Sequence, residues 1–95
     1  MRLTQKQISS IKTNFKNFFK EGEIYLFGSR VDDNQKGGDI DLYISTPNKE
    51  NLSYKKIQFL AYLKREIGEQ KIDVVLDYGA NRVIDKIAKR TGVLL

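Results

Sequence analysis

Apolar positions change their period along this chain, and each change marks an element. From residue 4 to 20, Ile8, Ile11, Phe15, Phe18 and Phe19 recur at the helical spacing of about 100° per residue. Lys6, Lys12, Lys16 and Lys20 take the opposite side, as the solvated back of a helix does. Thr4 followed by Gln7 is a capping-box pattern at the start, and Gly22 marks the end. Ile24-Tyr25-Leu26-Phe27 is a short apolar and aromatic run, expected to be a buried strand. The polar stretch from Asp32 to Gly38, closed by Gly37-Gly38, reads as a loop. Alternation in Asp39-Ile40-Asp41-Leu42-Tyr43-Ile44 predicts a half-buried strand, and Pro47-Asn48 turns the chain. Residues 52–67 predict a second helix, with Ile57, Leu60, Leu63 and Ile67 inward and Gly68 at its end. Residues 72–77 alternate again. A third helix is expected over 81–90, capped by Asn81 and closed by Gly92, with Val93-Leu94-Leu95 as a short terminal strand. The order is helix-strand-strand-helix-strand-helix with a short terminal strand, an α+β arrangement on a mixed sheet. Crossover through helices implies some parallel pairing.

A chain of 95 residues suffices for one domain, expected to span residues 1–95. No run approaches the roughly 18 apolar residues of a membrane span, and no apolar signal core opens the chain, so a cytoplasmic location is expected. The sequence contains no Cys and no His. Thiol nucleophiles, a histidine base, a Ser-His-Asp triad and Cys or His metal sites are therefore excluded. The chemistry left is that of carboxylates, Lys, Arg, hydroxyls and backbone amides, with a hard cation as the metal such chemistry would take. A formal charge of +5 favours a phosphate-bearing ligand or an acidic partner.

Strand alternation gathers the candidate chemistry. Residues i and i+2 project to the same side, so Asp39 and Asp41 point one way while Ile40, Leu42 and Ile44 point the other. In the third strand Ile72, Val74 and Leu76 form the apolar set, opposite Asp73, Val75 and Asp77. With both aliphatic sides against the helices, Asp39, Asp41 and Asp73 share one exposed face. Paired carboxylates repel unless a cation lies between them, which makes this set a credible clamp for a divalent ion. Asp77 lies about 13 Å further along its strand than Asp73 and is the weaker candidate. Upstream, Gly28-Ser29-Arg30 follows the first strand directly. A glycine there allows close backbone approach, a hydroxyl and free amides suit phosphate oxygens, and Arg30 adds a cation. Lys36 is a loop cation within conceivable reach of the same phosphates.

Leu26-Phe27-Gly28-Ser29-Arg30, then Asp39-Ile40-Asp41-Leu42 with nine residues between Ser29 and Asp39, then Ile72-Asp73-Val74-Val75, resembles the polymerase-β-like nucleotidyltransferases. The closest look-alike is the minimal nucleotidyltransferase group, whose tail Arg90-Thr91-Gly92-Val93-Leu94 also resembles. The spacer is one residue shorter than is usual in that group, and Gly38 stands where relatives often carry Ser. The resemblance implies the polymerase-β-like nucleotidyltransferase fold. It implies ATP as nucleotide donor and two Mg2+ ions, with Asp39, Asp41 and Asp73 as catalytic metal ligands and Gly28, Ser29 and Arg30 on the β and γ phosphates. It further implies an antitoxin that transfers AMP to a tyrosine of a separately encoded HEPN-type helical toxin. The alternatives are an antitoxin that acts by contact with little or no transfer, and a nucleotidyltransferase acting on a small molecule or an RNA end. The aromatic-basic interleaving used to stack bases is absent, so direct nucleic-acid binding is not expected.

Overall fold

The computed structural model describes residues 1–35, 37–68 and 70–95. Lys36, the loop cation with a conceivable phosphate role, lies outside the described residues. The first helix, α1, spans Gln5–Phe19. Its capping box forms as the sequence predicts: Gln7 N–H donates to Thr4 Oγ1 at 3.1 Å and Thr4 N–H donates to Gln7 Oε1 at 2.8 Å. Ile11, Phe15 and Phe19 are buried, together with the polar Gln7, Ser10 and Asn14. Asn14 Nδ2 donates both to Ser10 O at 2.8 Å and to Glu66 Oε1 at 3.1 Å, which ties α1 to the next helix. The helix stops at Lys20 with φ 71°, before the glycine expected to end it.

Among the described residues, four strands make one sheet in the order β3-β2-β1-β4. Strand β1 is Glu23–Phe27, β2 Ile40–Ser45, β3 Ile72–Leu76 and β4 Val93–Leu94. Strand β1 runs antiparallel to β2 and β4, while β2 and β3 are parallel and joined through α2, Leu52–Ile67. Ile24, Leu26, Ile40, Leu42, Ile44, Ile72, Val74 and Leu76 turn one sheet face into the core, against α1 and α2. Each such side chain contributes about 1.5–3 kcal/mol on burial. The Phe19 and Phe59 rings meet edge to face at 5.9 Å, locking the two helices together.

Two helix expectations need correction. Ile57, expected inward, is 65% exposed, whereas Leu52, Phe59 and Leu63 are buried. Two residues along a helix is about 200° of rotation, so seating Phe59 in the core turns Ile57 to solvent. Helix α3 spans Val83–Thr91, and its N-cap is Arg82 rather than Asn81. Asp85 explains the shift: its Oδ2 accepts the Arg82 N–H at 2.6 Å and the Arg82 Nε at 3.0 Å. Gly92 is the C-cap, as the sequence predicts.

Helix α3 decides which part of the second sheet face stays open. It sits over the Tyr25 and Tyr43 region, and Tyr43 is fully buried there. The Tyr43 hydroxyl donates to Asp85 Oδ1 at 2.8 Å, so α3 buries Asp85 and Ala88 and leaves Val83 and Ile87 exposed. Asp41 and Asp73 lie at the other end of the same face, outside the cover of α3. Among the described residues, no helix is long and apolar enough to cross a membrane.

Candidate active site

The strand register builds the site. In the parallel pairing of β2 and β3, Asp41 stands level with Asp73. In the antiparallel pairing of β1 and β2, Asp41 stands level with Phe27, so the chain leaves β1 beside the Asp41 side chain. There it forms a single 3-10 turn, Gly28–Val31. Gly28 adopts φ +79°, and a Cβ placed on it would lie 2.5 Å from Asp41 Oδ2. A side chain would thus compete with the carboxylate for space, and the strained backbone also favours glycine. The sequence motif leads one to expect close approach to a ligand; the approach seen here is to the Asp41 carboxylate.

Gly38, just before Asp39, is the second close approach. A Cβ on it would collide with Ser29 Oγ. The Gly38 φ of +91° is one that favours glycine over any side chain. Asp39 itself lies one residue before β2 rather than within it. Its carboxylate pairs with Lys71, Nζ to Oδ2 at 3.5 Å. Asp39 and Asp41 are half-buried and Asp73 is exposed.

Electrostatics at Asp41 follow from this crowding. Burial pushes its carboxyl above the usual range, and the charges of Asp73 and Asp39 push it further, while Lys71 pulls it back. Asp41 thus feels both of the other aspartates. Among the described residues, no three carboxylates are gathered closely enough to form a ready-made metal cage. The donor set is nonetheless all oxygen, as a hard cation requires. The mutual repulsion at Asp41 is the penalty such a cation would remove.

Arg30 lies in the turn but spends its guanidinium on the protein. Nε donates to Gly38 O at 3.1 Å, Nη1 to Arg2 O at 3.1 Å and Nη2 to Gln70 Oε1 at 3.3 Å. Those bonds tie the turn to the segments that lead into β2 and β3. Arg2, which the motif does not include, braces the same turn by donating from Nη2 to Ser29 O and from Nε to Asp32 O, both at 2.9 Å. Its only sequence signal is a positive charge. A cleft of about 570 Å³ opens at the start of α1, lined by Thr4 and Gln7 together with Arg2, Arg30, Gln70 and Lys71.

Asp77 has a different role from the other strand-face carboxylates. It accepts from Ser45 Oγ at 3.0 Å, Gly79 N–H at 2.8 Å and Lys89 Nζ at 3.2 Å. Burial pushes its carboxyl up, but the Gly79, Lys89 and Ser45 donors outweigh burial and hold it below the usual range. It anchors α3 to the end of the sheet.

The nucleotidyltransferase domain family matches residues 8–93, and the chain belongs to that family. A comparison with curated proteins finds none that matches. The four-stranded mixed sheet with three helices is consistent with the polymerase-β-like nucleotidyltransferase fold, and general nucleotidyl transfer is the activity class the family carries.

Proposed function

We propose that this protein transfers AMP from ATP to a hydroxyl of a protein acceptor, a tyrosine of a HEPN-type helical toxin, and so serves as an antitoxin. The observation that carries the transfer reading is the register of Asp41 against Asp73, with Gly28 packed on the Asp41 carboxylate. Asp39, Asp41 and Asp73 would hold two magnesium ions. Bound there, magnesium supplies charge stabilisation for the attacking and leaving oxygens of an in-line displacement. Gly28 and Ser29 would bind the β and γ phosphates through the backbone amides and the hydroxyl of the turn. Asp73, the exposed member of the set, accepts the proton of the acceptor hydroxyl. That oxygen bonds to the α phosphorus, the bond from α phosphorus to the bridging oxygen breaks, and pyrophosphate leaves. Positioning and charge suffice for this chemistry, which suits a chain without His or Cys.

A protein acceptor is favoured by the apolar surface on α3. Val83 is 72% exposed and Ile87 42%, on the same sheet face as the aspartates. Four residues apart on one helix, the two side chains are neighbours and offer a partner an apolar foothold. A second reading, an antitoxin acting by contact alone, is favoured by the apolar side chains that α2 leaves exposed, Tyr54, Ile57 and Tyr62. Co-expression with the product of the adjacent gene, size-exclusion chromatography and mass spectrometry with ATP and magnesium separate the two. Co-elution with a mass gain of AMP on a partner tyrosine supports transfer. Co-elution without modification supports contact. Separate elution, with AMP appearing on a small molecule or an RNA end, overturns both.

A further inference from the structure

Two cross-strand pairs of opposite character frame the carboxylates. Asp41 stands level with Asp73, a like-charged pair, and Ile40 stands level with Ile72. One step further back, outside the strands, Asp39 faces Lys71, and the Ile40 N–H donates to Lys71 O at 3.1 Å. By strand alternation Lys71 projects to the side of Asp73, as Asp39 projects to the side of Asp41. Lys71 Nζ lies 3.5 Å from Asp39 Oδ2. Like charges directly opposite each other weaken a sheet and opposite charges support it. The chain therefore carries its own monovalent cation at the rim of the three aspartates.

We infer that Lys71 is the internal counter-ion of the aspartate clamp, holding Asp39 in the absence of a divalent cation and releasing it when one binds. The inference rests on the metal-clamp reading of the three aspartates. Lys71 can leave without breaking a buried contact, since its side chain is 71% exposed. It also lines the 570 Å³ cleft with Arg2 and Arg30, which gives the released ammonium an open, solvated place to go. Lys71 thereby acts as a positioning residue. It keeps Asp39 turned toward the site and sets the metal concentration at which the clamp fills.

Mn2+ binding, followed by the electron paramagnetic resonance signal of the free ion, tests this without nucleotide or turnover. The proteins compared are wild type, Lys71→Met, Lys71→Arg, Lys86→Met and the Asp39→Asn/Asp41→Asn double variant. An exposed ion pair is weak, so Lys71→Met is expected to bind Mn2+ roughly two- to five-fold more tightly than wild type. Lys71→Arg should stay near wild type, and added salt should shrink the difference. Lys86→Met removes the same charge from an exposed position on α3 and should leave the affinity unchanged. If the double variant binds Mn2+ as wild type does, the clamp reading itself fails. If it loses binding while Lys71→Met matches wild type, or Lys86→Met gains as much as Lys71→Met, the clamp stands and the role of Lys71 is overturned. Amine acylation of Lys71 mapped by mass spectrometry gives a second readout on the unmutated protein. The rate should rise when Mg2+ is added, and an unchanged rate counts against release.

Discussion

Gly28→Ala separates backbone strain from damage to the site, because the protein contains a matched control. Gly28 and Gly79 both adopt φ +79°, but a Cβ on Gly79 meets nothing within 4 Å. An alanine forced into the left-handed region costs roughly 1–2 kcal/mol. The stiffer unfolded chain returns about 0.4–1 kcal/mol of that. Each variant should therefore lose about 1 kcal/mol, a fall in Tm of about 4–8 °C for a domain of this size. Only Gly28→Ala adds a clash, with its Cβ 2.5 Å from Asp41 Oδ2. To reach an ordinary separation of about 3.5 Å the carboxylate must retreat by about 1 Å. A misplacement of that size costs about 100-fold in a reaction that depends on position. Thermal unfolding, Mn2+ binding and AMP transfer should be measured on both variants. The expected outcome is similar Tm losses, with metal binding and transfer impaired in Gly28→Ala alone. Equal transfer by the two variants would refute the claim that Gly28 makes room for Asp41.

The other expectations concern the clamp, its support and the α3 anchor. Asp39→Asn/Asp41→Asn should abolish transfer of labelled AMP while circular dichroism stays unchanged, and Ser29→Ala should weaken nucleotide binding by roughly 0.5–1.5 kcal/mol in calorimetry. Because the folded Asp41 carboxyl is held above its usual range, its contribution to stability is present below about pH 4 and lost as pH rises through the raised value. Asp41→Asn should accordingly raise Tm at pH 7 in chelator and give no gain at pH 3. At Asp85 the sign is opposite: the Arg82 guanidinium, helped by the Tyr43 hydroxyl, outweighs burial and holds the carboxyl well below its usual range. Its stabilisation is present above about pH 4 and lost as pH falls through the depressed value, so Asp85→Asn should flatten the acid limb of a stability profile. Tyr43→Phe removes the hydrogen bond to that carboxylate and should cost about 1.5–3 kcal/mol in denaturant unfolding.

Much of the fold and the grouping of the candidate residues was legible in the chain itself, because both depend on period. Helical spacing in α1 and strict alternation in β2 and β3 predict the elements and the face on which each residue lies. Alternation alone predicts that Asp39 and Asp41 project together, away from Ile40 and Leu42. The Thr4–Gln7 cap was equally readable, since it spans a single helical turn. Tertiary structure decided what period leaves open. Ile57 fits an apolar arc as well as Phe59 does, and only the shape of the sheet face chooses between them. Arg30 carries the charge of a phosphate ligand, yet two of its three acceptors, on Arg2 and Gln70, come from segments remote in sequence. Tyr43 and Asp85 are 42 residues apart, and nothing local marks them as partners. The same holds for Lys71 opposite Asp39: each is an ordinary charged residue until the parallel register of β2 and β3 sets them side by side. Local sequence fixes the direction in which a side chain leaves the backbone, whereas the group it meets depends on how distant segments pack.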